Sequence, residues 1–306
     1  ERQPTLGGTC LNWGCIPTKA LLEHAHALKV TQEAAQWGIS FGTDVKPVID
    51  MARVNERKAK IVTLLTKGIE FLFKKNTIEW VKGTGRLAGA GRVEVTGPGG
   101  ARVIQGREII VATGSAARSV PGIDIDRKTI ITSDQAINLT EVPKSIAIMG
   151  SGAIGVEFAS ILRRFGSEVA LIELLPRIVP NEDEAVSAEL EKAFKKRGIA
   201  VRTATKVTSA KVQAGGVTIE MQDAAGKTES LTIEKLLVAV GRGPVTEGLG
   251  AVEAGLKLDH GFIVVDNLFR TSVAGISAIG DVITMGTRVH QQLAHLSSAE
   301  GVILAE

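Results

Sequence analysis

Apolar and polar positions follow two rhythms along this chain. Between Gly14 and Val30, Ala20, Leu21, Leu22, Ala25 and Leu28 give one apolar side, and Pro17 suits a first helical turn, so a helix is predicted there. A longer helical pattern, rich in Ala, Lys, Leu and Glu, runs from about Val48 to Lys75. Short strands are predicted near Thr77–Val81, Arg92–Thr96 and Ala101–Gln105, parted by Gly-rich turns such as Gly97-Pro98-Gly99-Gly100. Glu108–Ala112 is an apolar strand that ends in Thr113-Gly114-Ser115.

The second half alternates strand and helix. Ser145–Met149 has the pattern of a buried strand and runs into Gly150-Ser151-Gly152-Ala153-Ile154-Gly155, followed by a helix from Val156 to about Phe165. Glu168–Glu173 is the next strand. A helix near Asp183–Arg197 then leads to a strand at Ile199–Thr203, with later strands at Val217–Met221 and Lys235–Val240. This alternation predicts a doubly wound α/β domain. Beyond Gly241-Arg242-Gly243-Pro244, strands are predicted at Phe262–Val265 and Gly275–Ile279, the latter ending in Gly280-Asp281.

Composition narrows the classes. A length of 306 residues suits two domains, and 44% hydrophobic with 23% charged residues is ordinary for a globular protein. No apolar run approaches the roughly 18–20 residues needed to span a bilayer, and the opening Glu1-Arg2 carries no secretory leader pattern, so no membrane association is expected. The net charge of +3 is small and its Lys and Arg residues are scattered, so no nucleic-acid partner is expected either. Cys10 and Cys15 are the only cysteines, too few for a secreted disulfide scaffold or for structural zinc. His24 and His26, two apart, would point different ways on a helix, so no metal is expected. Few cysteines favour a cytosolic setting.

The glycine run carries the first chemistry. It follows a strand, precedes a helix, and Glu173 ends the next strand about 18 residues past Gly155. Gly150 would allow the tight turn, Gly152 the approach of a pyrophosphate to the backbone, and Gly155 close helix–strand packing. The helix N-terminus would offer free N–H groups to the phosphates. Glu173 would bind a ribose 2′-OH and repel a 2′-phosphate, which favours NAD over NADP.

The cysteines carry the second. Residues five apart in a regular helix are separated by about 7.5 Å along its axis, and a disulfide needs Cα atoms within about 7 Å. Cys10 and Cys15 could bridge only if the backbone curls before the helix becomes regular, which Gly14 and Pro17 suit. Cys15 would then lie near a helix N-terminus with Lys19 one turn on, the setting of a reactive thiol. The spacing leaves open two inert thiols or a plain structural disulfide, although so small a loop would constrain the unfolded chain little.

The run Gly7 to Leu22, GGTCLNWGCIPTKALL, resembles the redox-active motif of the class I pyridine-nucleotide disulfide oxidoreductases, and its Leu11-Asn12 and Ile16–Leu22 portions resemble the dihydrolipoamide dehydrogenase branch. Further stations follow in order: ATGS at Ala112–Ser115, GSGAIGVEFA at Gly150–Ala159, AVGRGP at Ala239–Pro244, AIGDV at Ala278–Val282 and LAH at Leu293–His295. The resemblance covers essentially the whole chain. It implies two nucleotide-binding Rossmann-like α/β domains, with the NAD domain (118–245) inserted into an FAD domain (1–117 and 246–306). It implies an FAD site at Glu1, Gly8, Thr9, Lys19, Gly85, Thr113, Gly114, Ser115, Asp281, Leu293, Ala294 and His295. The implied NAD site comprises Gly150, Gly152, Ala153, Ile154, Gly155, Glu157, Glu173, Val207 and Gly241. Cys15 would be the thiol against the flavin, Cys10 the interchange thiol, and Lys19 and Glu157 a pair beside the flavin.

The implied activity is oxidation of dihydrolipoyl groups through a Cys10–Cys15 disulfide and FAD, with reduction of NAD, in 2-oxo acid dehydrogenase or glycine-cleavage complexes. The setting would be cytoplasm or mitochondrial matrix. Three departures stand out. The family's N-terminal FAD fingerprint and its C-terminal dimerisation domain with a His-Glu pair have no counterpart here, and Val245 replaces a frequent Asn. His290 and His295 read as part of the segment lining the flavin, not as the base. The expectation is a partial chain of a homodimeric parent, poorly active alone. The alternatives are a non-catalytic NAD- and FAD-binding fragment, or another disulfide reductase on the same scaffold.

Overall fold

A computed structural model describes residues 1–42, 46–89, 91–286 and 290–306. Helix α1 spans Gly8–Asn12 and α2 spans Cys15–Gln32. Pro17 lies in the first turn of α2, and Ala20, Leu21, Ala25 and Leu28 form its buried side. Helix α3, Met51–Lys75, starts where Asp50 Oδ1 accepts the N–H groups of Ala52 and Arg53, at 2.9 and 3.2 Å. The next strands are β1 (Thr84–Leu87), β2 (Arg92–Gly97), β3 (Gly100–Gln105), β4 (Ile109–Val111), β5 (Ser115–Ala117) and β6 (Ile130–Ile131). The short α4, Ser133–Ala136, is closed by a capping box between Thr132 and Gln135.

Strand β7 (Ser145–Met149) leads into α5 (Ala153–Phe165), which ends at Gly166 with φ 116°. Strand β8 (Glu168–Ile172) follows, then α6 (Glu184–Lys196), capped by the Asp183 side chain on the Ala185 N–H at 2.8 Å. Strands β9 (Ala200–Arg202), β10 (Thr205–Gln213), β11 (Gly216–Asp223), β12 (Thr228–Ile233) and β13 (Lys235–Val238) complete this part. Strands β14 (Arg242–Pro244), β15 (Leu258–Asp259), β16 (Phe262–Val264), β17 (Ile276–Ala278) and β18 (Ile283–Thr284), and helix α7 (Ala294–Ala305), close the chain.

The chain divides into two compact units. The first gathers residues 1–12, 65–116 and 242–306, and the second 13–64 and 117–241.

The second unit is built on a parallel sheet of order β6-β13-β7-β8-β9. Alternation along its strands sends side chains to opposite faces. Ile146, Ile148, Leu171 and Leu237 meet Leu21, Val54, Phe158, Ile161 and Phe194 on the helical face. Ala147, Met149, Ile172, Leu236 and Val238 meet Val207, Val217, Ile219 and Met221 of the antiparallel β10-β11-β12 meander. The architecture is α/β, as expected, but a β meander covers the face that a doubly wound sheet would give to helices.

The first unit holds the antiparallel β1-β2-β3 meander, the parallel pair β17-β4, the pair β14-β5 and the mixed β15-β16-β18 sheet. Its core includes Val111, Leu249, Ile263, Phe269, Ile276, Val282 and Ile283.

Most predicted elements appear with ends shifted by one to three residues. One does not: Thr77–Val81 forms no strand. Its ladder bonding is confined to the far end, where the Glu1 amine donates to the Val81 carbonyl at 3.0 Å and Gly83 N–H to the Glu1 carbonyl at 3.1 Å. Strands β10 and β12 are absent from the sequence-based expectation, because their half-exposed faces carry polar residues that dilute the hydrophobic signal. No helix among the described residues is long and apolar enough to cross a membrane.

Candidate functional site

In the second unit the glycine run forms a tight β7–α5 turn. Gly150 has φ 99°, and a Cβ there would lie 2.4 Å from the Ala239 carbonyl oxygen. A Cβ on Gly155 would lie 2.0 Å from the Gly150 carbonyl oxygen, so helix and strand approach as only glycine permits. Gly152 differs: nothing lies within 4 Å of the position of its Cβ. It caps α5 without any side-chain bond. The N–H groups of Ala153, Ile154 and Gly155, in the first turn, have no intrahelical acceptor and form the positive end of the helix. Open space over Gly152 and uncapped donors fit the pyrophosphate of a dinucleotide.

Glu173 leaves β8 buried, at 8% exposure. Its Oε2 accepts the Ser151 N–H at 2.8 Å and the Ser151 hydroxyl at 2.7 Å, and its Oε1 accepts the Leu175 N–H at 2.9 Å. A carboxylate has about four acceptor sites, so room remains for about one ligand hydroxyl. Gly241, with φ 109° and exposed, follows β13, and its carbonyl accepts the Arg118 N–H at 3.0 Å. Val207 lies within the meander core, opposite Met221, beside a register shift in β10.

Helices α2 and α5 pack together in this unit and join Lys19 to Glu157 in an ion pair. Lys19 keeps 60% of its side chain exposed and Glu157 26%. Cys15 opens α2, is exposed, and follows Gly14, which brings no side-chain cap. The helical path breaks at Trp13-Gly14, between the two cysteines, and Cys10 lies in α1.

In the first unit a hydrogen-bonded chain joins three of the expected residues. The Ser115 hydroxyl donates to Asp281 Oδ2 at 2.5 Å. Arg242 donates from Nε to Ser115 Oγ at 2.7 Å, and from Nη2 to the Ser115 carbonyl at 2.6 Å and Thr9 Oγ1 at 3.5 Å. Arg242 thus ties the three chain segments of this unit together. It was not among the residues expected from sequence, although it lies inside the AVGRGP station. Thr113 donates to the Val245 carbonyl at 2.6 Å, and Val245 N–H to the Gly114 carbonyl at 2.9 Å. The Val245 departure therefore sits where the backbone does the bonding. Gly114 (φ 73°) and Gly8 (φ 57°) each have nothing within 4 Å of where a Cβ would sit.

Other expected residues stand outside this chain of bonds. Glu1 is exposed, its carboxylate accepting the Gln3 N–H at 2.8 Å. Gly85 lies in β1 opposite Val95. Leu293 precedes α7, and Ala294 and His295 open it, all exposed. No cluster of three or more potential metal ligands occurs among the described residues.

Comparisons with known proteins identify relatives of this chain. The family described as pyridine nucleotide-disulphide oxidoreductase matches residues 3–301. Dihydrolipoyl dehydrogenase 3 of Pseudomonas putida is 42% identical over 100% of this chain and 65% of its own length. Dihydrolipoamide dehydrogenase of Chaetomium thermophilum is also 42% identical, over 100% of this chain and 60% of its own. A solved Cu(II) complex of the HOCl-induced flavoprotein disulfide reductase RclA from Escherichia coli is 27% identical, with a TM-score of 0.83 over 99% of this chain and 63% of that one. The chain thus spans less than two thirds of the length of these relatives. With the uncapped glycine turn, the Cys-bearing helix start and a family match across nearly its whole length, this chain belongs to the pyridine nucleotide-disulphide oxidoreductase family.

Proposed function

We propose that this chain is the redox and nucleotide-binding part of a flavin-dependent oxidoreductase that oxidises dihydrolipoyl groups and reduces NAD+. The observation that carries the reading is the Lys19–Glu157 ion pair. Lys19 lies one turn into the helix that Cys15 opens, and Glu157 one turn into the helix that the glycine turn opens. One ion pair therefore links the first turns of the thiol-bearing helix and the nucleotide-binding helix.

Under this reading 118–245 binds NAD through the α5 N-terminus and Glu173, and 1–117 with 246–306 binds FAD. Thr9, Gly8, Gly114, Ser115 and Asp281 form the part of the FAD site built in the first unit. The names of the relatives, dihydrolipoyl dehydrogenase and dihydrolipoamide dehydrogenase, support the substrate. The substrate dithiol gives up two electrons and two protons and closes to a disulfide, NAD+ takes a hydride, and one proton leaves to solvent. FAD, when bound, couples these two-electron changes. Cys10 exchanges with the substrate sulfur, and exchange requires a thiolate. Cys15, exposed at the start of α2, is the partner thiol to which the exchange passes on the flavin side. The whole protein is expected to act as a homodimer on lipoyl-bearing partners.

Addition of FAD, then of one equivalent of dihydrolipoamide without oxygen, tests the reading. A new long-wavelength absorption band that is lost in Cys15→Ser is the expected result. Flavin that stays free and unchanged would overturn it. A second reading, reduction of a non-lipoyl disulfide, is favoured by the structural likeness to RclA, a flavoprotein disulfide reductase. NADH consumption with such a disulfide, without turnover of lipoamide, would select it.

A further inference from the structure

We propose that His290 and Glu300 form a buried positioning pair that sets the Gly280–Asp281 turn for the flavin dinucleotide, a role that rests on the FAD reading above. Glu300 lies on α7 and is 7% exposed. A carboxylate so buried needs specific donors on its oxygens. Its Oε2 accepts the Gly280 N–H at 2.7 Å, and its Oε1 lies 2.7 Å from His290 Nε2. The His290 side chain is itself only 10% exposed. Both carboxylate oxygens are thus committed, one to the turn and one to the imidazole.

The turn carries the residue that matters. Gly280 opens the short Gly280–Val282 helical turn with φ 77°, and a Cβ there would lie 3.2 Å from Ser297 Oγ of α7. Asp281 follows. Its carboxylate is held from the front by the Ser115 hydroxyl, and its carbonyl accepts the Gln292 side-chain amide at 3.1 Å. Glu300 grips the same turn from behind. A shift of Glu300 would move the Gly280 N–H and, through a single peptide, the Asp281 carboxylate. His290 limits that shift, because Nε2 fixes the direction of the Glu300 head.

The pair is not mere packing. Nδ1 of His290 is buried with no partner among the described residues. An imidazole placed only to fill space would be replaced without penalty by an apolar ring. Here one ring nitrogen is left unsatisfied while the other meets a carboxylate, which marks the Nε2–Glu300 bond as the reason for a histidine. His290 stands three residues before the Leu293-Ala294-His295 station.

The test uses the full chain and its affinity for FAD, read from quenching of flavin fluorescence, beside the unfolding midpoint of the FAD-free protein. His290→Ala is expected to weaken FAD binding by about tenfold, a loss typical of one hydrogen bond to a charged group. His290→Gln places an amide N–H near the position of Nε2 and is expected to recover most of that loss. Should His290→Ala fail to fold, Glu300→Gln, of nearly equal volume, is judged by the same tenfold criterion. Binding by wild type with His290→Ala or Glu300→Gln within twofold of it would overturn the pair and leave the FAD reading standing. Equal weakening in His290→Ala and His290→Gln would overturn it too, because the donor would then not be what acts. Absence of FAD binding by wild type would overturn the FAD reading and the pair with it.

Discussion

Ser151 gives both its backbone N–H and its hydroxyl to one oxygen of Glu173, at 2.8 and 2.7 Å, and so ties the glycine turn to the end of the next strand. The residue expected to choose the nucleotide is also the residue that shapes the loop. Glu173→Ala would strand three donors, two of them on the buried Ser151, and should destabilise the protein by about 2–3 kcal/mol in chemical unfolding. Wild type should bind NADH at least about tenfold more tightly than NADPH, since a 2′-phosphate would face a buried carboxylate. Equal affinities would contradict the assignment of Glu173.

Two glycines of the same turn should respond differently to one methyl group. In Gly155→Ala the new Cβ meets the Gly150 carbonyl oxygen, and a loss of more than about 2 kcal/mol in unfolding free energy is expected. In Gly152→Ala the Cβ enters open space, so stability should stay close to wild type while NADH affinity falls by about tenfold or more. Calorimetry for the fold and NADH fluorescence for binding separate the two.

The Lys19–Glu157 pair offers a cleaner division between stability and chemistry. Lys19 is mostly exposed, and ion pairs of this kind contribute less than about 1 kcal/mol. Glu157→Gln should therefore unfold nearly like wild type, yet lose dihydrolipoamide-dependent NADH formation by at least about tenfold if the pair serves the reaction. Unchanged turnover would leave it as a surface contact.

Arg242 should matter to the first unit beyond its own charge. Arg242→Lys keeps the charge but cannot reach the Ser115 hydroxyl, the Ser115 carbonyl and Thr9 together. Weaker FAD binding is expected in Arg242→Lys, and Ser115→Ala should produce little further loss in the double variant, because both remove one network. Fully additive losses would show that Arg242 acts elsewhere.

Lys58 supplies a pH test of packing in the second unit. It is buried on α3 and donates to the Ile137 carbonyl, to Asn55 Oδ1 at 2.7 Å and to Asn138 Oδ1 at 3.0 Å. Burial pushes its amine down from 10.5 to about 8. Between these values the unfolded chain holds the proton and the folded chain releases it, so the folded state gains stability as pH rises from about 8 to 10.5. Unfolding free energy measured across that window should climb in wild type relative to Lys58→Met. Parallel pH curves would show that the amine stays charged.

Local chemistry makes much of the fold legible in the sequence. The Ser145–Met149 strand, the glycine turn and the helix after it are readable because a buried parallel strand is an apolar run and the turn needs glycine whatever surrounds it. Strand β10 is harder to see. Of its residues only Thr205 and Val207 are buried, and TKVTSAKVQ reads as polar until the meander partner Gly216–Asp223 is in place. Thr77–Val81 errs the other way: its composition suits a strand, but a strand exists only where a ladder partner runs along it.

The sequence by itself determined the α/β class, the glycine turn with Glu173 at the end of the following strand, and the placement of Cys15 at a helix start. Each depends on backbone geometry within a few residues or on one βα unit. Only the tertiary structure decided that a meander covers one sheet face, that Arg242 joins Thr9 to Ser115, and that His290 stands behind Glu300 and the Asp281 turn. Those partners lie far apart in the chain or on separate elements, and the pairing of buried polar groups follows from how elements pack, which local propensity does not encode.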